Sequence, residues 1–231
     1  MEQIFPGLYV ITRGATNSYL IESAPDELTL IDTGTPGTTN AILQAAATLN
    51  YQPEQIKQIL ITHADIDHVG SLAPLVAATG ATVYAGKASV PYIESASTPP
   101  HVPAFMKLMN VFIKPVSVDV TFNDLEVLPI ADGILAIHVP GHTPENYNFF
   151  WEKHGVLFAA DVFFTFGRVT LSPSLIAWDK NKLRQSAMSA LNLAPKYICA
   201  GHGTPVNLIK HPEKIARLRL SLEGGTTLAA I

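Results

Sequence analysis

Cysteine is almost absent from this sequence, since Cys199 is the only one among 231 residues. A single cysteine excludes an intrachain disulfide and agrees with a reducing compartment. Cys199 lies in the apolar run 197–200, where a buried and unreactive thiol is the expected state.

Long apolar runs are also lacking. No stretch reaches the roughly 20 residues that a membrane helix needs, and no basic segment followed by an apolar one precedes the first predicted strand. The sequence therefore predicts neither a membrane protein nor a secretory signal, and we expect a cytoplasmic protein.

Charged residues are scarce as well, at 15% of the sequence, and the formal net charge is −4. An acidic chain offers no positive field for a polyanion, so nucleic acid is not an expected partner. Hydrophobic residues make up 48% of the sequence, which indicates a compact core rather than a disordered chain. No linker divides the chain, and we predict one domain over residues 1–231.

Strands and helices are predicted to alternate along the chain. Apolar alternation between turn residues predicts strands at 8–11, 18–22, 28–32, 58–62, 81–85, 118–122, 126–128, 135–139, 147–151 and 156–160. Apolar residues at helical spacing predict helices at 38–49, 71–79, 180–193 and from 212 onward. Gly80 and Asp179 are expected to cap the end of the second helix and the start of the third. The alternation indicates an α/β fold.

Residues 86–118 interrupt that alternation. The segment contains several prolines, followed by apolar residues at helical spacing, namely Phe105, Met106, Met109, Phe112 and Ile113. Two interpretations are open: a helix that packs in the core, or a lid that forms the wall of a substrate pocket. Methionine and phenylalanine suit an adaptable apolar pocket.

Four potential metal ligands follow one predicted strand. The apolar run 59–61 ends at Thr62, and the next six residues contain His63, Asp65, Asp67 and His68. A buried carboxylate without a partner costs several kcal/mol, so neighbouring aspartates indicate a bound divalent cation. The alternatives are a solvated polar turn or a cluster that caps the following helix.

Three later turns carry the same residue types. His142, Asp161 and His202 each come just after a predicted strand, and glycine or proline flanks both histidines. A single histidine in such a turn is more often structural. Three such turns together with the 63–68 turn instead indicate loop ends that converge at one edge of a sheet.

The ordered set His63-x-x-x-Asp67-His68, His142, Asp161 and His202 resembles the metallo-β-lactamase superfamily. The segments 30–34, 140–143 and 201–203 are similar to the surroundings typical of that family, and the resemblance extends from about residue 8 to the last predicted helix. It implies a four-layer αββα sandwich, in which helices flank two mixed β-sheets. It also implies a dinuclear site at the joint edge of the sheets.

The resemblance further implies a role for each ligand. One metal would take His63, the residue at position 65 and His142; the other would take Asp67, His68 and His202; and Asp161 would bridge the two. Position 65 is usually histidine in the family, whereas this chain has Asp65. A carboxylate reaches less far than an imidazole, so either the turn brings Asp65 closer or the first site is weak and only the second fills. The resemblance implies two divalent ions, zinc first, and the harder oxygen ligand makes manganese or iron the alternatives. No organic cofactor is expected.

The activity that the resemblance implies is hydrolysis. A metal-bound hydroxide would attack an ester, thioester, lactone or amide bond, and Asp67 would orient it and carry a proton to the leaving group. A β-lactamase proper is disfavoured, because such enzymes generally act outside the cytoplasm. Two alternatives are an oxidoreductase related to the flavodiiron branch, which has a carboxylate at position 65, and a non-catalytic metal-binding sandwich.

The substrate itself is not specified by the sequence. We expect a small and partly apolar molecule, and the oligomeric state is open, with a homodimer among the alternatives. Candidate substrate contacts, each with core packing as the alternative, are Phe105, Met106, Met109, Phe112, Tyr147 and Phe166.

Overall fold

The computed structural model describes residues 1–99, 102 and 111–223. The strands of the amino-terminal half are β1 (Glu2–Phe5), β2 (Leu8–Arg13), β3 (Thr16–Ala24), β4 (Glu27–Ile31), β5 (Ile56–Ile61) and β6 (Thr82–Gly86). Its helices are α1 (Thr39–Thr48), α2 (Ile66–Val69), α3 (Leu72–Thr79) and α4 (Val90–Ser95).

The carboxyl-terminal half has more strands than helices. Its strands are β7 (Val120–Phe122), β8 (Glu126–Leu128), β9 (Ile134–His138), β10 (Tyr147–Trp151), β11 (Val156–Thr165), β12 (Thr170–Leu171), β13 (Tyr197–Gly203) and β14 (Val206–Asn207). Its helices are α5 (Lys180–Asn192) and α6 (Pro212–Glu223).

The main strands form a continuous hydrogen-bonded ladder in the order β7-β6-β5-β4-β3-β13-β11-β10-β9-β8. Strands β4 to β7 are parallel to one another, as are β11 and β13, so within each half their carboxyl ends lie at one edge. The two halves meet at β3 and β13 through one residue pair, Thr16 opposite His202. The ligand-bearing ends of β5, β11 and β13 therefore lie close to this junction.

The ladder folds into two facing layers with a core between them. That inner core joins Leu8, Tyr19 and Leu60 of the first half to Phe149 and Phe158 of the second. Helices α1 and α3 cover the outer face of the first layer, and α5 and α6 cover the outer face of the second. The predicted four-layer αββα sandwich is confirmed.

Local sequence signals predict most of these elements. Gly80 ends α3 in the left-handed conformation (φ 65°), and Asp179 Oδ1 accepts hydrogen bonds from the first-turn amides of α5, as expected. Cys199 is fully buried. Strands β1, β12 and β14 and helices α2 and α4 were not predicted, because two to six residues contain too little periodicity to identify an element.

Two predicted metal ligands lie inside strands, where the sequence analysis expected turns after the strands. The strands β11 and β13 continue through Asp161 and His202, which the sequence placed in turns after the strands. Strand β11 remains paired because the irregularity is local: Ala160 adopts a positive φ of 42° and the register with β13 shifts on either side of it. The shift is a bulge, which re-aims Asp161 without ending the strand.

The interruption at residues 86–118 is only partly described. Phe105, Met106 and Met109 lie outside the described residues, so the choice between a core helix and a lid stays a prediction. Among the residues that are described, no helix is long and apolar enough to cross a membrane.

Candidate metal centre

The ligand-rich turn begins where β5 ends. The amides of His68 and Val69 both donate to the carbonyl of Asp65, which starts the short helix α2. The side chain of Asp65 accepts no capping hydrogen bond, so capping does not account for this carboxylate. The turn presents His63 and Asp65 before the helix and Asp67 and His68 on it.

One group of ligand atoms contains His63, His142 and Asp161, whose atoms lie within 4.8 Å of one another. Asp65 lies beside this group, because its Oδ2 is 3.3 Å from His142 Nε2 and 3.7 Å from His63 Nε2. The Asp65 carboxylate, although shorter than an imidazole, therefore reaches the metal position that the family resemblance implies for residue 65.

A second group contains Asp67, His68 and His202, also within 4.8 Å of one another. Asp161 connects the two groups. Its Oδ1 is 3.3 Å from His68 Nε2, while its Oδ2 is 3.1 Å from His202 Nε2 and 3.5 Å from His142 Nε2. A carboxylate in this place can serve two ions at once.

All four histidines are held through the ring nitrogen that faces away from the centre. The Nδ1 contacts are Thr62 Oγ1 for His63 (3.0 Å), Asp32 Oδ2 for His68 (2.8 Å), Ser172 Oγ for His142 (3.1 Å) and the Ala15 carbonyl for His202 (2.9 Å). Such outer contacts fix the ring orientation and leave Nε2 available as a ligand.

Four of the inward-facing atoms lack a hydrogen-bond partner in the part of the chain that the structure describes. His63 Nε2, His68 Nε2, Asp65 Oδ1 and Asp161 Oδ1 are buried and have no hydrogen-bond partner among the described residues. Buried polar atoms in folded proteins are almost always paired, with exceptions at catalytic and ion sites. Imidazole nitrogens and carboxylate oxygens in this arrangement fit divalent transition-metal ions.

The charges of the centre are strongly coupled. Burial alone would lower the pKa of His68, but the carboxylates of Asp32 and Asp161 outweigh it and hold that pKa well above its usual value. Burial likewise opposes a proton on His202, yet its hydrogen bonds with Asp161 and Asp67 raise the pKa to about 10. Carboxylates that favour a cationic imidazole this strongly also favour a divalent cation.

The neighbouring histidines favour the ionised form of Asp161, which contacts both groups, and of Asp67 in the second group. Burial would raise the pKa of Asp161, but His68 and His142 hold it well below the usual value. Burial also opposes ionisation of Asp67, whose pKa is nevertheless lowered by His68 and His202. The centre therefore offers negative charge at neutral pH.

Gly201 gives Asp161 and His68 the space that they occupy. A Cβ at this position would collide with Asp161 Oδ1 and would lie 2.8 Å from His68 Cε1. Gly141 has a related role, because its φ of 147° suits glycine and a Cβ there would collide with the backbone of Leu183 in α5. Both glycines belong to segments that the sequence analysis had associated with the site.

The end of β13 is supported by two residues that the sequence analysis missed as site residues. Asn17 Nδ2 donates to the carbonyls of Ala200 (3.0 Å) and Gly203 (2.7 Å), which bracket His202. Tyr19 donates its hydroxyl proton to the Ala200 carbonyl at 2.6 Å. No short-range signal marks them, since both depend on the contact between β3 and β13.

Glu145 is a further acidic group near the centre. It is 1% exposed, and burial, together with the charge of Asp65, raises its pKa to about 7. The sequence did not predict that Glu145 would be buried, because no local pattern around it indicates burial.

An open cavity of about 190 Å³ leads to the centre. Its floor contains Asp65, Asp67, His142, Asp161 and His202, and its sides are lined by Val102, Phe164 and residues 175–178. The apolar residues 175–178 were not predicted to line a cavity, because an apolar run before a helix cap usually packs in the core.

The predicted substrate contacts within the described residues do not line this cavity. Tyr147 is 7% exposed and packs against Phe122 in the inner core, with ring centroids 5.1 Å apart. Its hydroxyl is therefore not placed at the centre, and the core interpretation holds. Phe112 is exposed outside the cavity lining, and Phe166 lines a neighbouring surface groove together with Gly203.

Comparison with known proteins agrees with this geometry. The family described as the Metallo-beta-lactamase superfamily matches residues 11–202. Two Bacillus subtilis (strain 168) proteins are similar: the uncharacterized protein YobT (28% identity, 86% of this chain and 85% of the relative covered) and the probable metallo-hydrolase YflN (25% identity, 87% and 85%). The structure of the metallo-beta-lactamase SMB-1 bound to 2-mercaptoethanesulfonate superimposes with a TM-score of 0.69 at 22% identity, covering 97% of this chain and 85% of that chain.

The sandwich and the two ligand groups at its edge define a metal-dependent enzyme of the hydrolase class. The chain belongs to the metallo-β-lactamase superfamily. The predictions of the family, of the fold class and of a hydrolase enzyme are confirmed. The similarity to SMB-1 supports the shared fold, and the substrate has to be argued from the site itself.

Proposed function

We propose that this hydrolase cleaves an ester, thioester, lactone or amide bond of a small, partly apolar molecule, using two divalent ions held by the two ligand groups. The observation that carries the proposal is the position of Asp161, whose two oxygens lie 3.1–3.5 Å from histidines of both groups. Zinc is the first choice of metal, with manganese and iron as alternatives because Asp65 adds an oxygen ligand.

The ions, when bound, would supply Lewis acidity and lower the pKa of a water molecule. His63, Asp65 and His142 would hold one ion, and Asp67, His68 and His202 the other. Asp161 would be shared between them. The outer contacts at each Nδ1 keep the four imidazoles in place, so little reorganisation is needed when a substrate binds.

Asp67 is the residue that we assign to proton transfer. It faces the cavity with 30% of its side chain exposed, whereas Asp161 is almost completely buried. Its lowered pKa, which His68 and His202 maintain against burial, keeps it ionised and able to accept a proton. Thr16 Oγ1, at 3.5 Å, donates to Asp67 Oδ2 and limits its rotation. Asp67 can thus orient an attacking water and return the proton to the leaving group.

The proposal is tested with p-nitrophenyl esters, an acyl thioester, a γ-lactone and an anilide. We expect hydrolysis of at least one class to be abolished by a chelator and restored by zinc or manganese. Asp67→Asn, assayed at saturating metal, should lower kcat at least about 100-fold, whereas Asp132→Asn at an exposed site should not. Absence of chelator-sensitive hydrolysis across the panel contradicts the proposal, and iron content with oxygen consumption would favour the oxidoreductase alternative.

A further inference from the structure

Residues 175–178, which we call the apolar wall, expose apolar side chains at the mouth of the metal centre. Leu175 is 91% exposed, Trp178 is 41% exposed and Ile176 is 38% exposed. Single exposed apolar residues need no explanation, but contiguous apolar surface beside a polar site is typical of ligand binding. The wall forms one side of the same cavity whose floor holds the predicted ligands.

The apolar wall is fixed relative to His142. Before the wall, Ser172 Oγ contacts His142 Nδ1 at 3.1 Å. At its end, the amide of Trp178 donates to the His142 carbonyl at 2.9 Å, and the amide of Asp179 donates to the Gly141 carbonyl at 2.9 Å. The wall is therefore held at both ends against the turn that carries a metal-ligand histidine.

Helix α5 orients the indole of Trp178. Asp179 caps the helix through the amides of Asn181 and Lys182, and Lys182 Nζ lies 4.5 Å from the centroid of the Trp178 ring. This distance is within the range of a cation–π contact. The backbone amide of Trp178 and the cation of Lys182 hold the indole in place. The indole therefore presents a preorganised apolar surface, which lowers the entropic cost of binding.

Other apolar residues complete the cavity. Val102 and Phe164 line it together with the wall, and the Phe164 ring is 4.6 Å from the ring of His202. The cavity volume of about 190 Å³ equals that of roughly six water molecules. Such a space suits one aromatic ring or a short acyl chain.

We propose that the apolar wall binds the acyl or aryl group of the substrate, and that Trp178 determines specificity for that group. This inference rests on the proposed hydrolase function and assigns the apolar group to the His142 side of the centre. The scissile bond would then lie over Asp65, Asp67 and Asp161 on the floor of the cavity. The opposite side of the bond, toward the groove near Phe166, is left for the leaving group.

Binding without turnover tests the proposal first. The probes are acetate, butyrate, hexanoate and phenylacetate, added to the zinc-loaded protein. The sequence has two tryptophans, and Trp151 is buried in the core, so the fluorescence difference between wild type and Trp178→Phe isolates the signal of Trp178. We expect affinity to increase about fourfold for each added methylene, the effect of burying one CH₂ group, until the cavity is full.

The second readout is the kcat/KM ratio of hexanoate to acetate p-nitrophenyl esters. Trp178→Ala should lower this ratio at least tenfold, Trp178→Phe should restore most of it, and Ile209→Ala, an exposed apolar control, should leave it at the wild-type value. The proposal is overturned if neither the carboxylate affinity nor kcat/KM of the esters depends on acyl chain length. It is also overturned if Trp178→Ala leaves the kcat/KM ratio unchanged. A concentration-dependent dimer that Trp178→Ala abolishes, without chain-length dependence, would identify the wall as an interface between copies of this chain.

Failure of this proposal is distinguishable from failure of the proposed function. If no ester or related bond is hydrolysed while carboxylate affinity still increases with chain length, the hydrolase proposal fails, but the wall still binds acyl chains. If esters are hydrolysed with no preference for chain length, only the assignment of the wall fails.

Discussion

His68 Nδ1 lies 2.8 Å from Asp32 Oδ2, and this contact joins the end of strand β4 to helix α2. Asp32 also accepts hydrogen bonds from the amide of Thr62 at 2.9 Å and from its hydroxyl at 2.7 Å. One carboxylate therefore fixes both the start of the ligand turn and the orientation of a ligand histidine.

Asp32→Asn should lower metal affinity about 10- to 100-fold, the usual effect of removing such an outer contact. Asparagine tolerates the positive φ of 56° at this position, so the backbone is expected to persist. The amide can donate to His68 Nδ1, which would place the ring proton on Nε2, where it opposes metal binding. Competition against a chromogenic chelator measures the change, Asp132→Asn is the exposed control, and wild-type affinity in the Asp32 variant would show that the contact has no such role.

Asp65→Ala should reduce the metal content from about two ions per chain to about one. Asp65 Oδ2 lies near His63 and His142 only, whereas Asp67, His68 and His202 form their group without it. Elemental mass spectrometry of wild type and variant decides the point. Equal metal content in both proteins would mean that Asp65 is not a required ligand.

Gly201→Ala should impair both metal groups together. The added Cβ would collide with Asp161 Oδ1 and press on His68, and Asp161 is the residue that the groups share. We expect both equivalents of metal to bind at least tenfold more weakly, with secondary structure by circular dichroism unchanged. Gly80→Ala, at the end of α3 where a Cβ meets nothing within 4 Å, is strained by a φ of 65° and therefore controls for a destabilising glycine replacement outside the metal centre. Loss of only one metal equivalent would contradict the shared role of Asp161.

Glu145→Gln should make the metal-free protein more stable at alkaline pH. Burial raises the folded-state pKa of Glu145 from 4.5 to about 7, so the folded protein binds this proton more tightly than the unfolded chain. The associated stability is present below about pH 4.5 and is lost as the pH rises through 7. The variant should therefore gain on the order of 2–3 kcal/mol at pH 8 and much less at pH 5.

Urea unfolding of chelator-treated protein at the two pH values measures this difference. Glu54→Gln, at an exposed position, is the matched control and should show the same pH dependence as wild type. A Glu145→Gln variant that is no more stable than wild type at pH 8 would show that the carboxyl is not confined as the structure indicates.

The fold and the metal ligands could be predicted because their signals are local. Helical periodicity with caps at Gly80 and Asp179 specified α3 and α5, and ligand-type residues after apolar strands specified the centre. The order of His63, Asp67, His142 and His202 along the chain then identified the family. The resemblance placed Asp65 with His142, but whether the shorter side chain reaches that position could not be predicted, because it depends on how the turn before α2 is folded.

The contacts between segments that are distant in sequence could not be predicted. Asn17 and Tyr19 support the turn of His202 only because β3 and β13 are neighbours. Tyr147 was proposed as a substrate contact because it follows His142 in sequence, but strand alternation directs its ring into the core. Trp178 reaches the cavity through two backbone hydrogen bonds that no sequence pattern indicates.

The central claim is that this chain holds two adjacent divalent ions. A crystal of zinc-reconstituted protein, with anomalous diffraction collected on both sides of the zinc absorption edge, tests it most directly. The account predicts two anomalous peaks per chain, one among His63, Asp65, His142 and Asp161 and the other among Asp67, His68, Asp161 and His202. A single peak, or two peaks that avoid Asp161, would contradict it.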